Sequence, residues 1–138
     1  VGFTNWSDDG VEYKWHLGTD GAVQVVRDLD EVWANQNWEG VREMLSDTAK
    51  FYWRNGGVQS VDEFMAQISS DSTGAATWKF NGAFSVDLDP TIGGEHVHAA
   101  FSVSTKTDST TINRDVIERY YIIDGKVVTW HQFSLDVK

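Results

Sequence analysis

Val32-Trp33-Ala34-Asn35-Gln36-Asn37-Trp38-Glu39-Gly40-Val41 is the stretch that decides the fold of this 138-residue chain. It joins the end of one amphipathic helix to the start of another through a short break at Asn35–Asn37. Upstream, Ala22, Val25, Val26, Leu29, Val32 and Trp33 recur at helical spacing, and Arg27, Asp28 and Asp30 are assigned to the opposite face. Thr19 or Asp20 is the expected cap. Downstream, Trp38, Val41, Met44 and Leu45 define a short second helix. Ala49–Arg54 then reads as a strand, stopped by Asn55-Gly56-Gly57.

Further on, Ser60 and Glu63 form a capping box, and Val61, Phe64, Met65 and Ile68 give a third helix its buried stripe. Beyond Ser69 the period changes from helical to alternating. Trp78, Phe80, Phe84, Val86 and Leu88 alternate with polar residues. The loop Asp89-Pro90-Thr91-Ile92-Gly93-Gly94 leads to a strand carrying Val97, Ala99, Phe101 and Val103. Thr107–Ser109 turns the chain into Thr111–Ile123, and Asp124-Gly125 is a two-residue hairpin signal returning through Lys126–Val137. The order is ααβαββββ: an α+β fold with three helices on one face of a curved, mostly antiparallel sheet. Residues 1–19 read as an N-terminal arm and residues 20–138 as one domain.

Composition narrows the partners. The chain carries 21 acidic against 11 basic residues, a formal charge of −10. Nucleic acids and acidic membrane surfaces both require a basic footprint, and none is visible. Cysteine is absent, which excludes disulfides and thiolate metal sites. No apolar run approaches the roughly 20 residues of a membrane span, and no signal peptide is in view. The chain starts at Val1 rather than Met, which suits a preceding segment either cleaved, as in an exported mature chain, or not included in this sequence.

The run from Val32 to Val41, followed by Met44-Leu45-Ser46-Asp47-Thr48-Ala49, resembles the opening of the NTF2-like superfamily, in particular its SnoaL-like polyketide-cyclase and ketosteroid-isomerase branches. Tyr121-Ile122-Ile123-Asp124-Gly125-Lys126-Val127-Val128-Thr129-Trp130 resembles the terminal hairpin of the same group. The resemblance covers about residues 20–137. It implies an NTF2-like cone (a cystatin-like α+β roll), a cavity between helices and concave sheet, and a homodimer through the outer sheet face. It does not imply one chemistry, because this fold hosts isomerases, dehydratases, cyclases, epoxide hydrolases and binders.

Ketosteroid isomerisation needs a carboxylate base and an oxyanion hole made of a tyrosine and a protonated acid. Carried over from the resemblance, Leu29 stands at the tyrosine's position and Trp53 at the base's. Glu118 alone keeps a carboxyl, at the position of the buried acid, so steroid isomerisation is not expected. Glu118 is the leading catalytic candidate, since a carboxyl in an apolar cavity has a raised pKa and suits general acid–base work. The alternative is a structural Glu118 paired with Arg114 or with another basic group.

His131 is a second, weaker catalytic candidate, because histidine shuttles protons near neutral pH. Its strand phase places it with Phe133 and Leu135, on the face opposite Trp130, Gln132 and Ser134. His96 and His98 have the spacing of a two-histidine metal site but lack a third ligand, so no metal is expected. No cofactor is expected either: no dinucleotide fingerprint, phosphate loop or Ser/His/Asp signature occurs. The Arg-x-Asp and Tyr-x-Asn spacings of the epoxide-hydrolase branch are not met by Arg114-Asp115 or by Tyr52 to Asn55.

Leu29, Trp33, Trp53, Trp78, Tyr120, Trp130 and Gln132 are the expected ligand-binding residues, suited to a small apolar or aromatic molecule. Two readings stand side by side. In one, a SnoaL-like protein binds such a molecule and uses Glu118 in cofactor-free isomerase-, lyase- or cyclase-type chemistry. In the other, the tryptophans fill the cone and the protein is a non-catalytic binding or dimerisation module.

Overall fold

The structure, a computed structural model, describes residues 4–6, 10–70, 76–88 and 93–137. The expected loop residues 89–92 lie outside the described residues. In chain order the elements are β1 (Thr4–Trp6), β2 (Glu12–Lys14), β3 (His16–Leu17), α1 (Asp20–Ala34), α2 (Trp38–Glu43), β4 (Leu45–Tyr52), β5 (Val58–Ser60), α3 (Val61–Ser70), β6 (Ala76–Asp87), β7 (Glu95–Lys106), β8 (Thr111–Ile123) and β9 (Lys126–Val137). The ααβαββββ order is present, with short strands added at the N-terminus and before α3.

The main sheet runs β3-β6-β7-β8-β9-β4-β5. All its pairings are antiparallel except β4 with β9. β1 and β2 form a separate two-stranded ribbon, while β3 extends the sheet edge beside β6. The β8–β9 turn is set locally. Asp124 and Gly125 both take positive φ (50° and 75°), the two left-handed residues that a type I′ hairpin requires.

α1 lies on the concave face and buries Ala22, Val26 and Leu29. Thr19 caps it, its Oγ1 accepting from Ala22 N. The cap is itself pinned to the sheet by Glu95, whose carboxylate accepts from Thr19 N and Thr19 Oγ1 and, across the strand pair, from Ser85 Oγ. At the other end, Gln36 takes a left-handed φ of 54°, and the Gln36 and Asn37 amides return to Trp33 O and Val32 O. Those bonds satisfy the last carbonyls of α1 and stop it. Asn37 Oδ1 then accepts from Gly40 N and opens α2.

Three local expectations need correction. Met44 caps α2 and Leu45 begins β4, so neither lengthens the helix; Leu45 is buried, and Val127 N donates to Met44 O. The strand expected to begin at Ala49 therefore starts at Leu45. β6 is not one continuous alternation, because a bulge between Phe80 and Gly82 shifts its register against β7. Trp78 and Phe80 face inward opposite Val103 and Phe101, but beyond the bulge Phe84 pairs with His98 on the outer face and is 57% exposed. An extra residue in a strand exchanges its faces. The Ser60–Glu63 box is present, with Glu63 N donating to Ser60 Oγ.

The core sits between the helices and the concave face. Phe51, Phe64, Leu45, Val41, Val97 and Val127 are sealed from solvent. Phe51 and Phe64 stack at 3.9 Å between centroids, joining α3 to β4. Among the described residues no helix is long and apolar enough to cross a membrane.

Candidate functional site

Strand alternation on a twisted sheet decides which side chains see the space under the helices. On β8, Arg114, Val116, Glu118 and Tyr120 point inward; on β9, Trp130, Gln132 and Ser134 do the same. α1 contributes Leu29, Asp30 and Trp33, β6 contributes Trp78, and the end of β4 leads into Trp53. Together they enclose a cavity of about 570 Å³. That is within the range of small-molecule sites. All seven expected ligand-binding residues line it.

The tryptophans form a wall and leave the space beside them open. Trp33 and Trp53 pack against Trp130, with ring centroids 5.9 and 6.5 Å away. Phe51 and Phe64 back them from the core. Trp53 Nε1 donates to Gln59 Oε1 at 2.6 Å, and Gln59 in turn donates to Gln67, which fixes that ring's edge.

Glu118 sits at the centre of the polar end. Its Oε2 accepts from the Tyr120 hydroxyl, and its Oε1 accepts from Gln132 Nε2 at 3.2 Å. Part of its surface opens onto the cavity, while protein atoms surround the rest. Burial pushes its pKa up. The bonds from Tyr120 and Gln132 and the nearby Trp130 indole oppose that shift, and Asp30 reinforces it. The Trp130 Nε1 atom is buried and meets hydrogen-bond geometry with no partner among the described residues. Burial, and then the neighbouring Glu118, also push the Tyr120 phenol well above its ordinary range.

The ion pair once open as an alternative for Glu118 is not formed. Arg114 Nε bonds Asp136 Oδ1 at 2.8 Å on the adjacent strand instead. Glu118 is thus a carboxyl with no cation paired to it among the described residues, and burial, which its neutral donors only partly offset, keeps its proton to higher pH than an exposed glutamate.

Asp30 was assigned to the outer face of α1, and the structure corrects this. It lines the cavity, and its Oδ1 accepts from Trp78 Nε1 at 2.8 Å. The signal was present in the spacing: Val26, Asp30 and Trp33 stand at i, i+4 and i+7, one helical stripe. Two carboxyls, Asp30 and Glu118, therefore share one cavity.

His131 is not brought to this site. It lies on the outer sheet face, its ring stacked on Tyr52 at 4.3 Å, with Arg119 beside it in the next strand. Burial, then Arg119, lower its pKa. The strand period explains the placement, since its neighbours Trp130 and Gln132 take the inner face. His96 and His98 share the outer face. His96 packs against Trp15 and Tyr121, and His98 stacks on Phe84.

No family model matches the chain, and no curated protein matches it by sequence. Solved structures do match. An LEH-like epoxide hydrolase from M. tuberculosis superposes with a TM-score of 0.66 at 13% identity, over 85% of this chain and 84% of that one. An NTF2-like protein of unknown function from Burkholderia pseudomallei K96243 gives 0.67 at 13% identity, over 83% and 91%. Bal32a, from a soil-derived mobile gene cassette, gives 0.69 at 10% identity, over 83% and 89%. At such identities the likeness speaks to architecture and not to activity. The cone of three helices on a curved, mostly antiparallel sheet is the NTF2-like fold.

Proposed function

We propose that the protein binds a small apolar or aromatic molecule in this cone and performs cofactor-free acid–base chemistry on it. The observation that carries the reading is Glu118: a carboxyl enclosed by protein, open to a cavity on one side, and bonded by neutral donors only. Such a group donates a proton, or a hydrogen bond, to a carbonyl or hydroxyl oxygen of the ligand. Asp30, on the facing helix, is the complementary proton acceptor. The pair suits isomerase-, lyase- or cyclase-type steps, in which a base removes a proton from carbon while an acid supports the oxygen that receives the electron pair.

Exchange at carbon tests this without knowledge of the natural substrate. 1-Tetralone, an aromatic bicyclic ketone, is incubated with the protein in deuterium oxide and its α-protons are followed by NMR. Exchange above background that Glu118→Gln abolishes supports the reading. Unchanged exchange in the variant removes Glu118 from the chemistry. A folded protein that binds the ketone and exchanges nothing leaves the non-catalytic binding module, which the apolar Leu29 and Trp53 at the usual catalytic positions favour.

We also propose a homodimer through the outer sheet face. Phe84, Ile117, Phe133 and Leu135 stand there, each more than half exposed, Leu135 at 70%. Several exposed apolar side chains on one sheet face are a common mark of an interface.

A further inference from the structure

Among the described residues the cavity lining carries two carboxyls, Asp30 and Glu118, and two cations, Arg54 and Arg114. Arg114 and Glu118 lie on the same face of β8 and are four residues apart, about 13 Å along an extended strand. Arg114 spends only Nε on Asp136; among the described residues its two Nη groups have no bonded partner. Arg54 is exposed at the rim, where the cavity continues into a shallower groove along Asn55, Gly57 and Gln59, and it has no ion pair among the described residues. A guanidinium presents a planar fork of donors that matches a carboxylate. In a chain of charge −10, two cations on the cavity lining offer a local match to an anion that the rest of the surface repels.

We propose that the ligand is an amphiphilic acid: a flat apolar body with a carboxylate held by Arg114 and Arg54 and an oxygen function at the far end held by Glu118 and Tyr120. This deepens the ligand-binding reading above and rests on it. Between the two polar ends, Trp33, Trp53 and Trp130 supply the surface for the apolar body. The orientation follows from charge. A carboxylate pairs with a guanidinium, whereas the neutral Glu118 and Tyr120 offer it no cation.

6-Hydroxy-2-naphthoate carries the two groups at opposite ends of a fused aromatic ring, and its methyl ester removes the charge with the body unchanged. Calorimetric titration of both, at neutral pH and at low and raised NaCl, tests the inference. The free acid is expected to bind about tenfold more tightly than the ester at low salt, with the difference shrinking as salt rises. Arg114→Gln and the double variant with Arg54→Gln should erase the preference and leave ester binding in place. Arg114→Lys, which keeps the charge and loses the fork, should retain part of it. Equal binding of acid and ester, or tighter binding of the ester, overturns the anion assignment while the ligand-binding reading stands. Binding of neither compound contradicts both. Loss of ester binding together with acid binding in Arg114→Gln assigns Arg114 to the cavity's shape and overturns its role as the anion's partner.

Discussion

Trp78 and Asp30 are joined by a hydrogen bond from the indole Nε1 to the carboxylate Oδ1 at 2.8 Å, across 48 residues of sequence. The bond links the middle of α1 to β6 and fixes one carboxyl of the cavity opposite the other. It also decides which way a half-buried aspartate on an amphipathic helix points. Trp78→Phe keeps most of the apolar surface and removes the donor. We expect a loss of about 1 kcal/mol in urea unfolding, the net size of a typical intramolecular hydrogen bond. An unchanged midpoint would mean that Asp30 is held by something other than Trp78.

Glu118 gives a pH-dependent stability whose sign is fixed. Its folded pKa lies above the 4.5 of an ordinary glutamate, so the folded state keeps a proton that the unfolded chain has released. The contribution is fully present below the unfolded value and is lost as pH rises through the folded one. Glu118→Gln, which cannot ionise, should therefore melt higher than the parent near pH ~8 and lose that advantage toward pH ~4. A melting difference that stays flat across this window would contradict the raised pKa.

Glu95 predicts the opposite sign. Partial burial works to raise its pKa, but the bonds from Thr19 N, Thr19 Oγ1 and Ser85 Oγ outweigh it and hold the carboxyl below its usual range. Its contribution is present above the unfolded value of 4.5 and is lost as pH falls through the lowered one. Glu95→Gln should cost about 1–2 kcal/mol at neutral pH and little in acid. Gly18→Ala tests the same clip sterically, since a Cβ there would stand 2.2 Å from both Glu95 Oε1 and Ser85 Oγ. Equal stabilities of parent and both variants would show that the cap of α1 is not tied to the sheet.

The proposed dimer is tested on the outer face alone. Phe133→Glu adds a charge to an exposed apolar position that does not line the cavity. Sedimentation should show the parent at twice the monomer mass and the variant at one, with melting temperatures close together. A monomeric parent removes the dimer.

Much of this architecture is legible in the chain because its signals are local. The capping box at Ser60, the Asp124-Gly125 turn and the helical stripe from Ala22 to Trp33 each state their element within a few residues. Alternation on β9 set His131 on the face opposite Trp130 and Gln132, and the family resemblance, not the period, put Glu118 and those two toward the cavity. What the sequence hides is what depends on partners far away. The bulge after Phe80 exists only against β7, so Phe84 was grouped with the wrong face. Asp30 is polar, and polarity alone assigned it to solvent; only its Val26–Asp30–Trp33 spacing and the distant Trp78 reveal its inward direction. Arg114 carries no local mark of whether it meets Glu118 or Asp136, because a strand neighbour made that choice.

The central claim is that the cone receives an aromatic molecule between its tryptophan wall and the Glu118–Tyr120 end. The most direct measurement follows the indole N–H resonances of the seven tryptophans in ¹⁵N-labelled protein during titration with 2-naphthol, a small neutral aromatic. The account predicts saturable shifts for Trp78 and Trp130, which line the cavity, and none for Trp15, which packs on His96 at the outer face. No movement of Trp78 and Trp130 up to the solubility limit, or movement of Trp15 alone, would contradict it.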